Sequence, residues 1–147
     1  MTYQLITDQL MLSYSGYLRN HHGVYVHERP TEYMLTWVIR GRTYYTINSK
    51  TPNYKDKPYE AGDMLILPPN VMLADGVAPL EQCDVLYVMF HGQLAPWFYD
   101  RIKPADGHRI HIGESGPIRQ AFEEVVISNA ASAGRDDYDS LHPHTSL

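Results

Sequence analysis

Histidine side chains are the first candidates for chemistry in this sequence, which contains eight of them. Pairs such as His108 and His111 are close enough along the chain to act together as metal ligands. The candidates ahead of the C-terminal tail are His21, His22, His27, His91, His108 and His111. None of them has the neighbouring cysteines or carboxylates of a good zinc site. Solvated histidines are the favoured interpretation, and the sequence predicts neither a metal nor a cofactor.

The sequence also contains no clear set of residues for nucleophilic catalysis. No combination of Ser, His and Asp, and no Cys and His pair, occurs in a context that suggests an activated nucleophile. The single cysteine, Cys83, excludes an internal disulfide and a zinc site of several cysteines. We therefore expect a structural Cys83 and a protein that is not an enzyme.

Composition and charge narrow the classes of partner. A chain of 147 residues with 44% hydrophobic and 20% charged residues is typical of one ordered domain. Its net charge is −5, and the 12 Lys and Arg are scattered, so we expect no direct contact with nucleic acid. The N-terminus has no basic start before an apolar run, and no apolar segment approaches the ~18 residues of a membrane span. The sequence predicts a cytoplasmic protein without membrane contact.

Short strand-like runs separated by turn signals extend to about residue 91 and indicate an all-β region. The run VYVHE, residues 24–28, alternates as a half-buried strand does. The run YMLTWVIRG, residues 33–41, is apolar on both faces, as an enclosed strand would be. Gly41 permits a tight turn, so TYYTIN, residues 43–48, is predicted to return as the antiparallel partner in a hairpin.

The next elements are a loop and two buried strands. Residues 49–63 are polar with two prolines and predict an exposed loop. The run MLIL, residues 64–67, predicts a buried strand that must end at Pro68 and Pro69 because proline donates no ladder hydrogen bond. In VLYVMF, residues 85–90, alternate side chains should lie on opposite faces.

Helical signals follow His91. Pro96 is placed to open a short helix that runs to Ile102. A second helix is predicted from about Ser115, with Pro117 just inside it and apolar residues at helical spacing. These are Ile118, Ala121, Phe122 and Val125.

Three segments carry a family resemblance: RPTEYMLTWVIRG, GDMLILPP and VLYVMFHG. In this order they resemble the N-terminal ligand-sensing domain of AraC-type transcriptional regulators over about residues 14 to 130. The resemblance implies a mainly β fold, a cupin-like double-stranded β-helix barrel, or jelly roll, followed by C-terminal α-helices. Members of that family also carry a C-terminal DNA-binding domain with two helix-turn-helix motifs. This chain ends before such a domain, so we expect either the sensory half of such a regulator or a natural single-domain relative, and the sensory half is favoured.

The resemblance also divides the chain into regions. Residues 1–13 would form an N-terminal arm, residues 14–92 the ligand-binding barrel, and residues 93–131 a helical dimerisation region. Residues 132–147 are predicted to be a flexible tail.

The metal site of many cupins is interrupted in this sequence. Metal-binding cupins carry a motif in which Gly is followed after five residues by Pro, after one more by Gly, and after two more by His. In this sequence the four motif positions are Gly62, Pro68, Asn70 and Leu73. The position of the histidine is apolar. The segment that would supply an H-x-H pair has no histidine and offers Trp37, Tyr44 and Tyr45. A metal-free barrel is the expectation.

A barrel without a metal can hold an organic ligand. Carried over from the family, the sugar-contacting positions fall near Ser15, Arg29, Asp75, Val85 and Tyr87, and Trp37 and Tyr45 extend the aromatic wall. Asp75 replaces an aromatic residue of the sugar-binding relative and Val85 replaces a histidine, which leaves the specific sugar open. The alternatives are core packing for the aromatic residues and a surface ion pair of Arg29 with Glu28 or Glu32.

The helix that begins near Pro117 has two interpretations. In the family such helices form the dimer contact, and Ile118, Phe122 and Val125 would supply it here. A single amphipathic helix that covers its own barrel is the alternative. Val126 and Ile127 widen the apolar face beyond one stripe, so a homodimer is favoured.

The leading hypothesis is therefore a ligand-sensing and dimerising domain that binds a small polar effector, a sugar above all. Ligand binding would order the N-terminal arm over the mouth of the barrel. A metal-dependent cupin enzyme that acts on a small sugar or carboxylic acid is the first alternative. The second is an oligomerisation module whose barrel is packed solid by its own tyrosines.

Overall fold

Eight strands and one complete helix make up the part of the chain that the structure describes. A computed structural model gives residues 10–113, 116–121, 123 and 124. The strands are β1 (Met11–His21), β2 (Val24–His27), β3 (Tyr33–Ile47), β4 (Tyr59–Glu60), β5 (Asp63–Leu67), β6 (Leu73–Gly76), β7 (Cys83–His91) and β8 (Arg109–His111). The helix α1 spans Ala95–Ile102. Residues 116–121, 123 and 124 are also helical.

The strands form two antiparallel layers that share β3. The first has the order β1-β7-β3-β5-β8. In the second, β2 pairs with β6, β6 pairs with the C-terminal part of β3, and the short β4 pairs with β3 at Arg42 and Thr43. This strand order is that of a jelly roll. The predicted mainly β jelly roll followed by helices is confirmed.

The long strand β3 corrects the prediction of a hairpin at Gly41. Among the described residues the two halves of β3 do not pair with each other. Tyr33–Gly41 pairs with β7 in one layer, and Tyr44–Ile47 pairs with β6 in the other. Gly41 has a φ of +76°, as the prediction required, but a Cβ atom there would lie 2.3 Å from the backbone oxygen of Gln82. The glycine therefore bends one strand from the first layer into the second and lets the chain before β7 approach closely.

The predicted alternation of β7 is confirmed. Val85 and Tyr87 point between the two layers, where they contribute to a cavity. Val88 and Phe90 lie on the opposite face of the same strand, under α1. Because the second layer lies over one face of β7 and α1 lies over the other, both faces are covered, which explains the nearly unbroken apolar run.

The sequence analysis missed three short strands, β4, β6 and β8, and β4 lies in the segment predicted to be an exposed loop. β6 contains Asp75 and Gly76, which are poor strand formers, yet it is fully buried and pairs on both edges, with β2 and β3. β8 is held to β5 by Asp63, whose carboxylate accepts hydrogen bonds from His111 Nδ1 at 2.6 Å and from Arg109 Nη1 at 3.3 Å. Tertiary contacts override local propensity in β6 and β8.

The structure describes the end of the predicted N-terminal arm and none of the predicted tail. β1 begins at Met11, so residues 11–13 of the predicted arm are part of the first layer. Residues 1–9 of the arm and the predicted tail, residues 132–147, lie outside the described residues. None of the described helices is long and apolar enough to cross a membrane.

Candidate ligand-binding site

A cavity of about 250 Å³ lies between the two layers. Its wall combines side chains from β1, β2, β3, β6 and β7, so both layers contribute to it. The volume is just below the ~300 to 1,000 Å³ range of small-molecule sites, which limits an occupant to a small molecule. The apolar part of the wall is formed by Leu18, Val26, Met34, Leu73, Val85 and Met89. The polar part is formed by His21, His27, Thr36, Asp75 and three tyrosines.

A buried hydrogen-bond network anchors the polar part of the wall. Asp75 Oδ2 lies 3.0 Å from His21 Nε2, and Asp75 Oδ1 accepts a hydrogen bond from Thr43 Oγ1 at 2.7 Å. His21 is only 4% exposed and Asp75 only 8%. A buried carboxylate is tolerated only when donors compensate for the loss of water, and these two groups provide them.

Aromatic rings hold this network in place. Tyr25 stacks on His21 with ring centroids 4.9 Å apart. Tyr45 packs edge-on against Tyr59 at 4.8 Å. Burial, and next the charge of Asp75, raise the pKa of Tyr45 well above its ordinary value. Tyr45 is therefore a neutral phenol that can donate a hydrogen bond across the physiological range of pH.

Four of the residues proposed from the sequence lie together in this cavity. They are Tyr45, Asp75, Val85 and Tyr87. They reach it from three strands, because alternate side chains of β3, β6 and β7 point inward. Their part in ligand binding stays a prediction.

The other three predicted residues do not line the cavity. Trp37, one residue after the inward-facing Thr36, is buried on the opposite face of β3 with Met64 and Leu86. Ser15 is fully buried in β1 opposite Val88. Arg29 is exposed after the end of β2. A ligand role for these residues also remains a prediction.

The two glutamates suggested as ion-pair partners of Arg29 contact other side chains in the structure. Glu28 pairs with Lys50 at 3.2 Å, and Glu32 pairs with His91 at 2.9 Å. Lys50 and Glu28 are both more than 60% exposed, so their pair is worth little to stability.

His21 is one of the cavity residues that sequence reasoning missed. The interpretation of the histidines as solvated fits His22, which is exposed, but is wrong for His21. His21 is the last residue of β1, and its side chain reaches Asp75 across 54 positions of sequence. Local patterns carry no signal for such a contact.

The residues at the cupin metal position do not fit a metal. Leu73, which stands at the histidine position, is 1% exposed and packed in the core. Within the described part of the chain, no group of three or more His, Cys, Asp and Glu side chains is placed to hold an ion. We derive no metal chemistry for the cavity.

Cys83 lies near the cavity without the properties of a nucleophile. It is 1% exposed. Burial, followed by the charges of Asp75 and Asp84, raises the pKa of its thiol. Reactivity requires the thiolate, so Cys83 is unreactive in the folded protein.

A second hollow lies on the outer face of the first layer. It measures about 740 Å³ and is almost entirely apolar. Leu10 and Leu12 line it together with α1, β5 and the helical residues near Ile118. Ile118, the first of the predicted dimer contacts, is 41% exposed, while Phe122 and Val125 lie outside the described residues. The described end of the predicted arm is thus placed on the outer face, away from the cavity.

Comparisons with known proteins give similarity of structure only. No protein-family model matches the sequence, and no curated protein matches it. A RmlC-like cupin family protein with a double-stranded β-helix fold from Methanocaldococcus jannaschii is 17% identical, with 64% of this chain and 78% of that chain covered and a TM-score of 0.39. A cupin-like protein from Thermotoga maritima is 17% identical, with 77% and 71% covered and a TM-score of 0.37.

A third similar structure is the oxalate decarboxylase from Bacillus subtilis. It is 15% identical, and the match covers 91% of this chain and 33% of that chain with a TM-score of 0.42. The jelly roll of the present chain is established by its own strand pairing, and likeness at this level carries nothing about the chemistry of the cavity.

Proposed function

We propose that this chain is the ligand-sensing and dimerising part of an AraC-type transcriptional regulator. Its cavity would hold a small polar effector, with a sugar as the leading candidate. The observation that supports the proposal is the cavity between the layers, where apolar walls surround a few converging polar groups, Asp75 and Tyr45 among them. This combination is typical of small-molecule sites.

The arrangement suits recognition of hydroxyl groups. Asp75 offers carboxylate oxygens, and Tyr45 offers a neutral hydroxyl that can donate or accept. The ring of Tyr87 gives a flat surface for the apolar face of a sugar. No covalent step is needed, so the proposal is for a binding protein and not for an enzyme.

Regulation would follow from differential binding. An effector that binds one arrangement of the N-terminal arm better than another shifts the population of the two. DNA contact would belong to a separate domain of the regulator, in the cytoplasm, and would be controlled through a homodimer of chains like this one. Ile118 is our candidate for a residue in that dimer contact.

The alternatives gain less support. An oligomerisation module without a ligand requires a barrel packed solid, and the cavity of about 250 Å³ disagrees with that requirement. A metal-dependent enzyme requires ligands where Leu73 stands.

Thermal unfolding against a ligand panel tests the proposal. The panel contains monosaccharides, short oligosaccharides, sugar acids and divalent metal ions. A ligand at about a hundred times its dissociation constant adds roughly 2.7 kcal/mol to stability, or on the order of 5 to 10 °C in Tm for a domain of this size. A rise with sugars supports the proposal. A rise with metal ions alone would favour the enzyme, and no rise at all would favour the oligomerisation module.

A matched pair of variants places the ligand. Val85→Phe fills the cavity from β7, where Val85 is 2% exposed, whereas Val24→Phe adds the same atoms at a position that is 49% exposed. We expect Val85→Phe to abolish the rise in Tm and Val24→Phe to preserve it. Equal rises in both variants would place the ligand elsewhere.

A further inference from the structure

The charges on the cavity wall are unevenly distributed. Its ionisable side chains other than tyrosine are the carboxylate of Asp75 and the imidazoles of His21 and His27. Neither lysine nor arginine is among the described residues that line it. The side chain of Asp75 keeps 12% of its surface accessible, so an occupant can reach the carboxylate.

His21 lies against one side of Asp75. Its Nε2 is 3.0 Å from Asp75 Oδ2, so the imidazole donates a hydrogen bond to the carboxylate there. Nδ1 is buried and has no hydrogen-bond partner among the described residues. Asp75 therefore remains the carboxylate that an occupant meets on this part of the wall.

Two neighbouring groups respond to this charge. After burial, Asp75 is the next cause that raises the pKa of Tyr45, and it is also the next cause that raises the pKa of Cys83. The two side chains lie on different strands, β3 and β7.

We propose that the cavity selects a ligand that places a hydroxyl or amine donor at Asp75 and that carries neither a carboxylate nor a phosphate. This inference rests on the proposed function, since it presumes that the cavity binds a small molecule. At an effective dielectric constant of about 20, an anionic group about 6 Å from Asp75 binds roughly a hundredfold more weakly than its neutral counterpart. Sugar acids and sugar phosphates are thereby excluded, and neutral sugars, polyols and amino sugars are admitted.

The first test compares ligands that share a skeleton and differ in charge. D-glucose, D-glucosamine, D-glucuronate and D-glucose 6-phosphate form one set, and the corresponding forms of galactose and mannose form two more. Binding to the wild-type chain is measured by thermal unfolding and by calorimetric titration. We expect affinity for a neutral or amino member of at least one set, and at least tenfold weaker affinity for its anionic members.

Each result has a defined meaning. An anionic member that binds as tightly as its neutral counterpart overturns this inference and leaves the proposed function standing. If no member of any set binds, the result counts against the proposed function, and the inference fails with it.

The second test removes the charge and keeps the shape. Asp75→Asn should reduce the preference for neutral over anionic members by at least about tenfold, because the repulsion is lost. Asp84→Asn is the matched control: Asp84 is also 8% exposed, but it pairs with Arg40 at 3.1 Å and does not line the cavity. The control should keep the wild-type preference.

An unchanged preference in Asp75→Asn would overturn the inference. If Asp75→Asn does not fold, the comparison of neutral and anionic ligands on the wild-type chain still decides.

Discussion

Replacement of Gly41 by alanine should cost this protein far more stability than the same change at Gly107. Both glycines lie in the left-handed region, with φ of +76° and +70°, so both alanine variants carry the same backbone strain. That strain is about 1 to 2 kcal/mol, and alanine recovers about half of it by restricting the unfolded chain. Gly107→Ala should therefore lose about 1 kcal/mol.

Gly41 carries a second cost that Gly107 lacks. A Cβ atom at position 41 meets the backbone oxygen of Gln82 at 2.3 Å, whereas nothing lies within 4 Å of one at position 107. Relief of this overlap requires a shift of backbone between β3 and β7, and overpacking of this kind costs roughly 1 to 3 kcal/mol. The total for Gly41→Ala is about 3 kcal/mol.

Urea unfolding of the two variants and the wild type measures the difference. The midpoints give the change in stability while the slope m stays constant, which also checks that each variant unfolds as one unit. A loss at Gly41 no larger than the loss at Gly107 would refute the close approach of β3 to the chain before β7.

Three further predictions follow from other contacts. Asp63→Ala should lower the free energy of unfolding by about 2 to 3 kcal/mol because a buried carboxylate that accepts hydrogen bonds from Glu60 N, Arg109 and His111 is lost. His111→Gln, whose side chain is 70% exposed, should cost less than about 1 kcal/mol, and equal losses in urea unfolding would contradict this. The raised pKa of Cys83 predicts full stability below about pH 8.5, where the unfolded thiol is also protonated, and a loss of about 1.4 kcal/mol per pH unit above it. Cys83→Ala should flatten that slope between about pH 8.5 and 10, below the range in which the raised pKa values of Tyr45 and Tyr59 add their own loss. An identical slope in that interval would show that the thiol is not its source. If the chain is a homodimer through the helix at Ile118, Ile118→Glu should give a monomer by light scattering while Gln120→Glu, also exposed, stays dimeric; loss of the dimer in both would point to charge alone.

The sequence was most informative where one local pattern decided the structure. The alternation in residues 85–90 predicts both faces of β7, because a strand has only two faces and both are covered. The apolar run before Pro68 and Pro69 predicts β5, since proline stops the ladder whatever the tertiary context.

The sequence was least informative where contacts between residues far apart along the chain determine the structure. A glycine with positive φ fits a hairpin turn and a bend in one strand equally well, and only the position of β7 and β6 separates the two at Gly41. His21 was misjudged for the same reason, because its burial depends on Asp75, 54 residues away. The site was partly predictable because inward positions of β3 and β7 follow from alternation. Asp75 in β6 was named only through the family resemblance, and the contribution of Leu18 and His21 in β1 was not foreseen.

The pairing of β1 with β7 has a consequence for the order in which the protein assembles. Met11 lies opposite His91, so the first strand finds its partner only after the last long strand has been made. Closing so long a loop is slow, and proteins dominated by such pairings fold in milliseconds to seconds. Because β1 supplies Leu18 and His21 to the cavity, the binding site is completed only when this strand docks. A ligand bound in the completed cavity would slow the detachment of β1 from the barrel. Binding should therefore stabilise the N-terminal end of the barrel first.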